Sequence, residues 1–305
     1  MEIVRRIFIS VPNDKILNDN QREFKWTLIK KIEELGFIAE IFYNTQPNPR
    51  SKTIRKSWTF EECINVIRRC VGAIIIGLPR HSHSTPEGVL KLPTEYAHFE
   101  GALSIFLNLP TFLLKEKGLY GRGVFSYNGA HIMTTFPDDA TSVEWLSSEK
   151  FKTDLDLFLK EIHNRKDIFL GYCSTSKGTA RTIKLFIEKV IGATILDWQT
   201  DFSERKTIIE EIEDASKQTS GAIFLFTRDD KLDNEIGLAA PRDNVVFEAG
   251  FFAHAKGREK VLIIREEGAK MPADLGGIIY ATLKDRSDIE PLEEKLRKFI
   301  DAAML

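Results

Sequence analysis

Two six-residue runs, Gly72-Ala-Ile-Ile-Ile-Gly77 and Gly221-Ala-Ile-Phe-Leu-Phe226, have no polar face. A strand with one side in water alternates polar and apolar residues. A strand that is apolar throughout must be covered on both sides, as in a parallel sheet sandwiched between helices. Each run is followed by a helical pattern, over residues 96–106 and 244–254, and then by another apolar run, Thr111-Phe-Leu-Leu114 and Lys260-Val-Leu-Ile-Ile264. That order points to an α/β fold.

The alternation begins earlier in each half. Arg6-Ile-Phe-Ile-Ser-Val-Pro12 and Asp167-Ile-Phe-Leu-Gly171 read as opening strands. The spacing of Phe24, Leu28, Ile32 and Leu35 predicts a helix over 21–35, stopped by Gly36, and a second is predicted over 179–191. Phe37-Ile-Ala-Glu-Ile-Phe-Tyr43 and Ala193-Thr-Ile-Leu196 read as second strands, with helices over 60–70 and 204–217 after them. A helix over 151–165 closes the first half, and the polar stretch His163-Asn-Arg-Lys-Asp167 reads as a joint. Tyr280-Ala-Thr-Leu283 is expected as a short edge strand before an amphipathic helix over 291–300. Gly72-Ala-Ile and Gly221-Ala-Ile are 149 residues apart, and Phe99-Glu100 and Phe247-Glu248 are 148 apart. A fold used twice explains both offsets, giving two three-layer α/β domains in tandem, residues 1–163 and 166–305.

Composition removes several classes of function. A formal net charge of −2 gives no chain-wide basic balance, and Arg68-Arg69 falls inside a helical pattern, so direct nucleic-acid binding is not indicated. The three cysteines, Cys63, Cys70 and Cys173, are odd in number and show no CxxC spacing, which fits a reducing compartment better than a disulfide framework or a structural zinc. Without a signal-peptide pattern or an apolar stretch near the ~18 residues a membrane helix needs, the expected location is cytoplasmic, away from membranes. His81-Ser-His83 has no acid or cysteine at metal spacing and reads as loop; no metal-ligand cluster is evident.

In a parallel α/β sheet ligands sit beyond the carboxyl ends of the strands. Three segments of the second half fall there. Gly171-Tyr-Cys-Ser-Thr-Ser-Lys-Gly178 leads into a helix and offers Ser174, Thr175, Ser176 and Lys177 as donors for an anion, although it lacks the order of a Walker loop; a hydrated turn is an equal reading. Thr227-Arg-Asp-Asp230 is either functional or solvent-facing. In Ala240-Pro-Arg-Asp-Asn-Val-Val-Phe-Glu-Ala-Gly-Phe-Phe252, Glu248 stands among Val245, Val246, Phe247, Ala249, Phe251 and Phe252. A carboxylate there is costly to desolvate unless it meets a partner or a cationic ligand. Pairing with Arg242 or Arg228 would make it structural.

The run Arg242-Asp-Asn-Val-Val-Phe-Glu-Ala-Gly-Phe-Phe, then Gly257-Arg-Glu-Lys-Val-Leu-Ile-Ile, then Pro272-Ala-Asp-Leu-Gly-Gly-Ile, resembles the TIR-like domains of bacterial anti-phage systems, as found in TIR–STING fusions and cyclic-nucleotide-activated effectors. The resemblance covers residues 167–300 and departs from that pattern at Ala249, where those proteins carry Leu. It implies flavodoxin-like/TIR-like domains, a catalytic Glu248 in an NAD glycohydrolase, and no cofactor, NAD being the substrate. Tyr172, Ser174, Lys177, Arg228, Arg242 and Asn244 would bind the rest of the substrate, with Trp198 as a further ring surface. It also implies a homo-oligomer and a cyclic nucleotide or other nucleotide activator. In the first half, Pro93-Thr-Glu-Tyr-Ala-His-Phe-Glu-Gly-Ala-Leu-Ser104 is more weakly similar to TIR domains and to nucleoside 2-deoxyribosyltransferases. There Glu100 would mark a second site if the domain were active, with Glu95 a competing alignment; a sensing or assembly role is favoured. Three functions stay open: NAD hydrolysis in defence, cyclisation to a cyclic ADP-ribose isomer, or a nucleotide-binding adaptor without catalysis.

Overall fold

The structure is a computed structural model that describes residues 3–42, 58–86, 88–126, 131–203, 205–231 and 239–304. It divides into two compact units, residues 4–164 and residues 165–305 together with 1–3.

The first unit is built on five parallel strands, β1 (Arg6–Ser10), β2 (Ile38–Glu40), β3 (Gly72–Gly77), β6 (Thr111–Glu116) and β7 (Ile132–Phe136), in the order β2-β1-β3-β6-β7. An antiparallel hairpin, β4 (His81–Thr85) and β5 (Gly88–Leu92), stands apart from that sheet. Helices α1 (Asp19–Glu34), α2 (Phe60–Ile67), α3 (Glu95–Phe106), α4 (Thr141–Trp145) and α5 (Glu149–Asn164) follow the strands. The start of α1 is fixed by a capping box, Asn18 with Gln21. Its end is fixed by Gly36, which takes φ +88°.

The second unit repeats the plan with β8 (Ile168–Gly171), β9 (Ile195–Asp197), β10 (Gly221–Phe226), β13 (Val261–Glu266) and β14 (Ile279–Leu283), ordered β9-β8-β10-β13-β14. A two-residue pair, β11 (Asp230–Lys231) with β12 (Ala239–Ala240), lies between β10 and the helix that follows. The helices are α6 (Lys177–Phe186), α7 (Trp198–Asp201), α8 (Ile208–Gln218), α9 (Asp243–Lys256) and α10 (Glu293–Met304). Helix α6 runs on as a π-helical turn through Ile191 and stops at Gly192, φ +84°. Both sheets follow the flavodoxin-like order 2-1-3-4-5, whose switch point lies between the first and third strands.

The registers coincide as well. Ile7 pairs with Gly72 as Ile168 pairs with Gly221, so Ser10 and Gly171 occupy the same place. Ala73 pairs with Thr111 as Ala222 pairs with Val261, which makes Glu116 and Glu266 equivalent. Glu100 and Glu248 are each the sixth residue of the helix after the third strand.

Several boundaries differ from the sequence reading. His81–Thr85 is a strand, not a loop; its residues are mostly exposed, so burial periodicity could not reveal it. Strand β7 was absent from the sequence pattern because Ile-Met-Thr-Thr-Phe, with Thr134 and Phe136 buried and Thr135 exposed, is not a continuous apolar run. The predicted helix 204–217 starts instead at Ile208, where Thr207 caps Glu210, with Glu204 outside the described residues. The second strand is only Ile38–Glu40, and Tyr43 also lies outside the described residues.

One of the two apolar layers of the second unit lies between the sheet and α9. Val245, Ala249 and Phe252 recur at i, i+4, i+7 and are buried. Phe252 stacks on Phe169 with centroids 4.7 Å apart and planes 11° from parallel, while Phe202 stacks on the other side of that region at 5.9 Å. Phe224 completes the cluster 5.7 Å from Phe169. No helix among the described residues is long and apolar enough to cross a membrane.

Candidate active site

Burying that stripe of α9 leaves Glu248, one position before Ala249, half-buried over the carboxyl end of β8. A Cβ placed on Gly171 would stand 3.1 Å from Glu248 Oε2, and this glycine lets the carboxylate settle against the strand. Burial pushes the Glu248 carboxyl up to about 7. The carboxylate has no hydrogen-bond or ion-pair partner among the described residues. It faces a cavity of about 1080 Å³, at the upper end of the range for small-molecule sites. Of the two arginines that could have neutralised it, Arg242 lies 3.4 Å from Asp230, and Arg228 is exposed, its backbone amide donating to Glu266 Oε2 at 2.7 Å.

Tyr172, Ser174, Lys177, Arg242, Asn244 and Glu248 all line this cavity. Arg228 does not, which corrects the sequence assignment. Arg228 is exposed in the turn after β10, which bonds to both neighbouring loops: the Arg228 amide donates to Glu266, and Asp229 accepts from Thr175. The donor-rich loop is also less free than its composition suggests. Ser176 is buried with its hydroxyl donating to the Cys173 carbonyl at 2.8 Å, and Thr175 donates to Asp229 Oδ1 at 2.6 Å. Ser174 and Lys177 remain exposed at the cavity.

The aromatic surface is a pair. The Tyr172 hydroxyl donates to Asp197 Oδ1 at 2.8 Å, and burial together with that carboxylate holds the phenol above its ordinary range. Trp198 lies 5.7 Å from the Tyr172 ring and donates its Nε1–H to the Tyr172 carbonyl at 3.0 Å. Trp198 also lines the cavity. Sequence reading missed Asp197, Lys184 and Arg181. The available signal was positional: Asp197 ends the second strand, and Lys177, Arg181 and Lys184 recur at i, i+4, i+7 on one helical face.

A polar bracket joins three loops of the second unit. Arg286 donates to both oxygens of Glu266, at 3.0 and 2.7 Å, and to the Thr175 carbonyl at 3.4 Å. The Arg286 carbonyl accepts from Thr179 Oγ1 at 2.8 Å. Asp229 receives Thr175, Thr227 and the Arg242 amide.

The equivalent acid of the first unit has the opposite surroundings. Glu100 is 5% exposed and accepts from Ser10 Oγ and, at 2.7 Å, from Trp58 Nε1. Burial raises its carboxyl to about 7 against those two bonds. Both of its oxygens are occupied. Glu95, the competing acid, is exposed on the first turn of α3, 3.9 Å from His81. In Glu100→Gln the amide can still accept from Trp58 and donate to the Ser10 hydroxyl, which also accepts. That variant is expected to stay within about 1 kcal/mol of wild type in urea denaturation, while Glu100→Leu, which strands both donors, loses about 2–4 kcal/mol.

Comparison with known proteins finds a family similarity in the second unit. The family model described as CAP12/Pycsar effector protein, TIR domain, matches residues 167–285. YuaY of Escherichia coli is 29% identical over 177 residues, which is 53% of this chain and 58% of that protein. CD-NTase-associated protein 12 of Sphingobacterium faecium is 35% identical over 121 residues, 38% of this chain and 36% of that one. Pycsar effector protein BcPycTIR of Burkholderia cepacia is 41% identical over 69 residues, 20% and 23% of the two chains. The chain thus spans 58% or less of each of these relatives.

Proposed function

We propose that the C-terminal unit, whose residues 167–285 match the family model described as CAP12/Pycsar effector protein, TIR domain, cleaves the nicotinamide–ribose bond of NAD through Glu248, as an effector of anti-phage defence. The observation that carries this reading is a bare carboxylate facing a nucleotide-sized cavity. The nicotinamide of NAD is a cationic pyridinium and departs neutral, so the reaction needs no acid to protonate its leaving group. It needs negative charge beside the ribosyl oxocarbenium ion, or a nucleophile to trap it. One desolvated glutamate supplies either, whereas hydrolysis of an ordinary glycoside calls for two carboxylates. Trp198 would stack on a ring, and Asn244 and Ser174 would hold hydroxyls. An activating nucleotide and a homo-oligomer belong to the same proposal.

The test is to incubate the chain with NAD at high protein concentration, with and without cyclic nucleotides, and follow nicotinamide. Release is expected, with ADP-ribose as the co-product. A cyclic ADP-ribose isomer would make the enzyme a signal producer, and nucleotide-dependent self-association without nicotinamide would make it an adaptor. Only the ionised carboxyl can steady the cation, so kcat/KM should fall tenfold per pH step below about 7. A profile flat down to pH 5 would remove Glu248 from the chemistry.

A further inference from the structure

The two units carry one site position with different contents. Thr59 and Thr207 cap the helices α2 and α8, and they are 148 residues apart, as Glu100 and Glu248 are. At that offset Trp58, Phe60 and Tyr96 of the first unit answer to Lys206, Ile208 and Asn244 of the second. All three of those counterparts line the cavity together with Glu248. The first unit therefore keeps the acid and sets aromatic rings where the second has the walls of a small-molecule cavity.

One of those rings sits on the acid itself. Trp58 donates its Nε1–H to Glu100 Oε1 at 2.7 Å, and the Ser10 hydroxyl donates to Oε2. The Trp58 ring meets Phe60, Tyr96 and Phe99 edge-on, with centroids 5.0, 4.6 and 5.6 Å away. The chain thus presents a planar N–H heterocycle of its own to a buried carboxylate, inside an aromatic surround. That surround is not a closed core. Phe60 is 61% exposed and Tyr96 48%, and large apolar groups gathered at the surface mark a binding face. Trp58 lies outside α2, one residue before its cap, so the side chain can turn away without unwinding the helix.

We propose that the first unit binds a guanine-type nucleobase on Glu100, with Trp58 as the tethered stand-in that the base displaces. A carboxylate accepts two N–H donors side by side, one on each oxygen, and the N1–H and N2–H groups of guanine form that pair. The other nucleobases set an acceptor beside their donor on that edge, and the acceptor would face a carboxylate oxygen. Each carboxylate oxygen has two acceptor positions, so Ser10 keeps its bond when the base arrives. Phe60, Tyr96 and Phe99 supply ring surfaces against the base. The inference rests on the proposed activation by a nucleotide and gives that nucleotide a place. Glu100 binds here and breaks no bond.

Calorimetric titration of the full chain tests this with the monophosphates of guanosine, adenosine and xanthosine. Wild type should prefer the guanosine nucleotide over the adenosine nucleotide by at least about tenfold, the worth of one good bidentate pair. Guanosine should keep the same preference over adenosine, since the contact is to the base; a preference that vanishes with the phosphate overturns base recognition. The Glu100→Gln amide offers one acceptor and one donor, so the preference should swap to xanthosine monophosphate, whose C2 carbonyl accepts where guanine donates. A merely structural glutamate cannot produce that swap. Equal binding of the guanosine and adenosine nucleotides by wild type, or loss of the former in Glu100→Gln without gain of the xanthosine nucleotide, overturns the site. Trp58→Phe, which keeps a ring and removes the N–H, should bind guanosine monophosphate at least about threefold more tightly, because no bond to Glu100 has to break first. Weaker binding there overturns the displacement. Nicotinamide release from NAD separates this site from the earlier reading. The swap in binding with no release under any nucleotide supports the site and overturns activation through it. Release by a chain that binds no guanine compound overturns the site and leaves Glu248 its role.

Discussion

Glu248→Gln is expected to lower nicotinamide release at least about 10³-fold, the scale of loss when a preorganised transition-state charge is removed, while making the ligand-free fold less sensitive to alkali. The two effects share one cause. The folded carboxyl has its pKa raised from 4.5 to about 7 by burial alone. Between those values the folded chain keeps a proton that the unfolded chain has released, so stability falls as pH rises through that window. The full contribution is present near pH 4 and is gone above 7. Relative to wild type, the glutamine variant should therefore gain about 3 kcal/mol between pH 4 and pH 8. Thermal melts at the two pH values check this. Glu100 has a similarly raised carboxyl and remains in both proteins, so its share cancels in the comparison. A variant that loses activity with no pH-dependent gain would mean that the acid is paired in solution.

The second large effect concerns the packing that aims Glu248. Phe169→Ala removes a fully buried ring that touches Phe202, Phe224 and Phe252. The loss should be about 3–5 kcal/mol, because Phe224 and Phe252, fixed by sheet and helix, cannot collapse into the gap. Denaturation followed separately for the two units should show the second unit's transition shifted and the first unit's unmoved. Nicotinamide release should fall further than the folded fraction accounts for, since Phe252 lies one turn after Glu248 on α9 and inherits the slack.

Much of this architecture was legible in the residues, because it rests on burial. Strands such as 72–77 and 221–226 are apolar on both faces, and the repeated spacing to Glu100 and Glu248 follows from a repeated topology. The structure gives both helices their glutamate at the same position and both sheets the same order. Elements that bury little were not legible: the β4–β5 hairpin and the four-residue α7 leave almost no periodic trace. The candidate site divides along a similar line. An acid in an apolar run is conspicuous in one dimension. Whether Arg242 or Arg228 reaches it depends on where each side chain falls in space, which only the fold decides. Ser176 and Thr175 look like free donors in sequence and are consumed by Cys173 and Asp229 in space.

Gly171 has one more effect, on folding. Two sheets of one topology in a single chain invite the opening strand of one to be threaded into the other, a characteristic misassembly of tandem repeats. Ile-Phe-Ile of β1 and Ile-Phe-Leu of β8 would both fit by hydrophobic pattern. The ring of Phe224, however, fills the space over Gly171 so closely that a Cβ there would fall 2.4 Å from it. Ser10 carries that Cβ at the equivalent register, so β1 cannot seat in the second sheet without displacing a buried ring. The same missing side chain that lets the acid settle against the strand thus makes β1 a poor substitute for β8 in the second sheet.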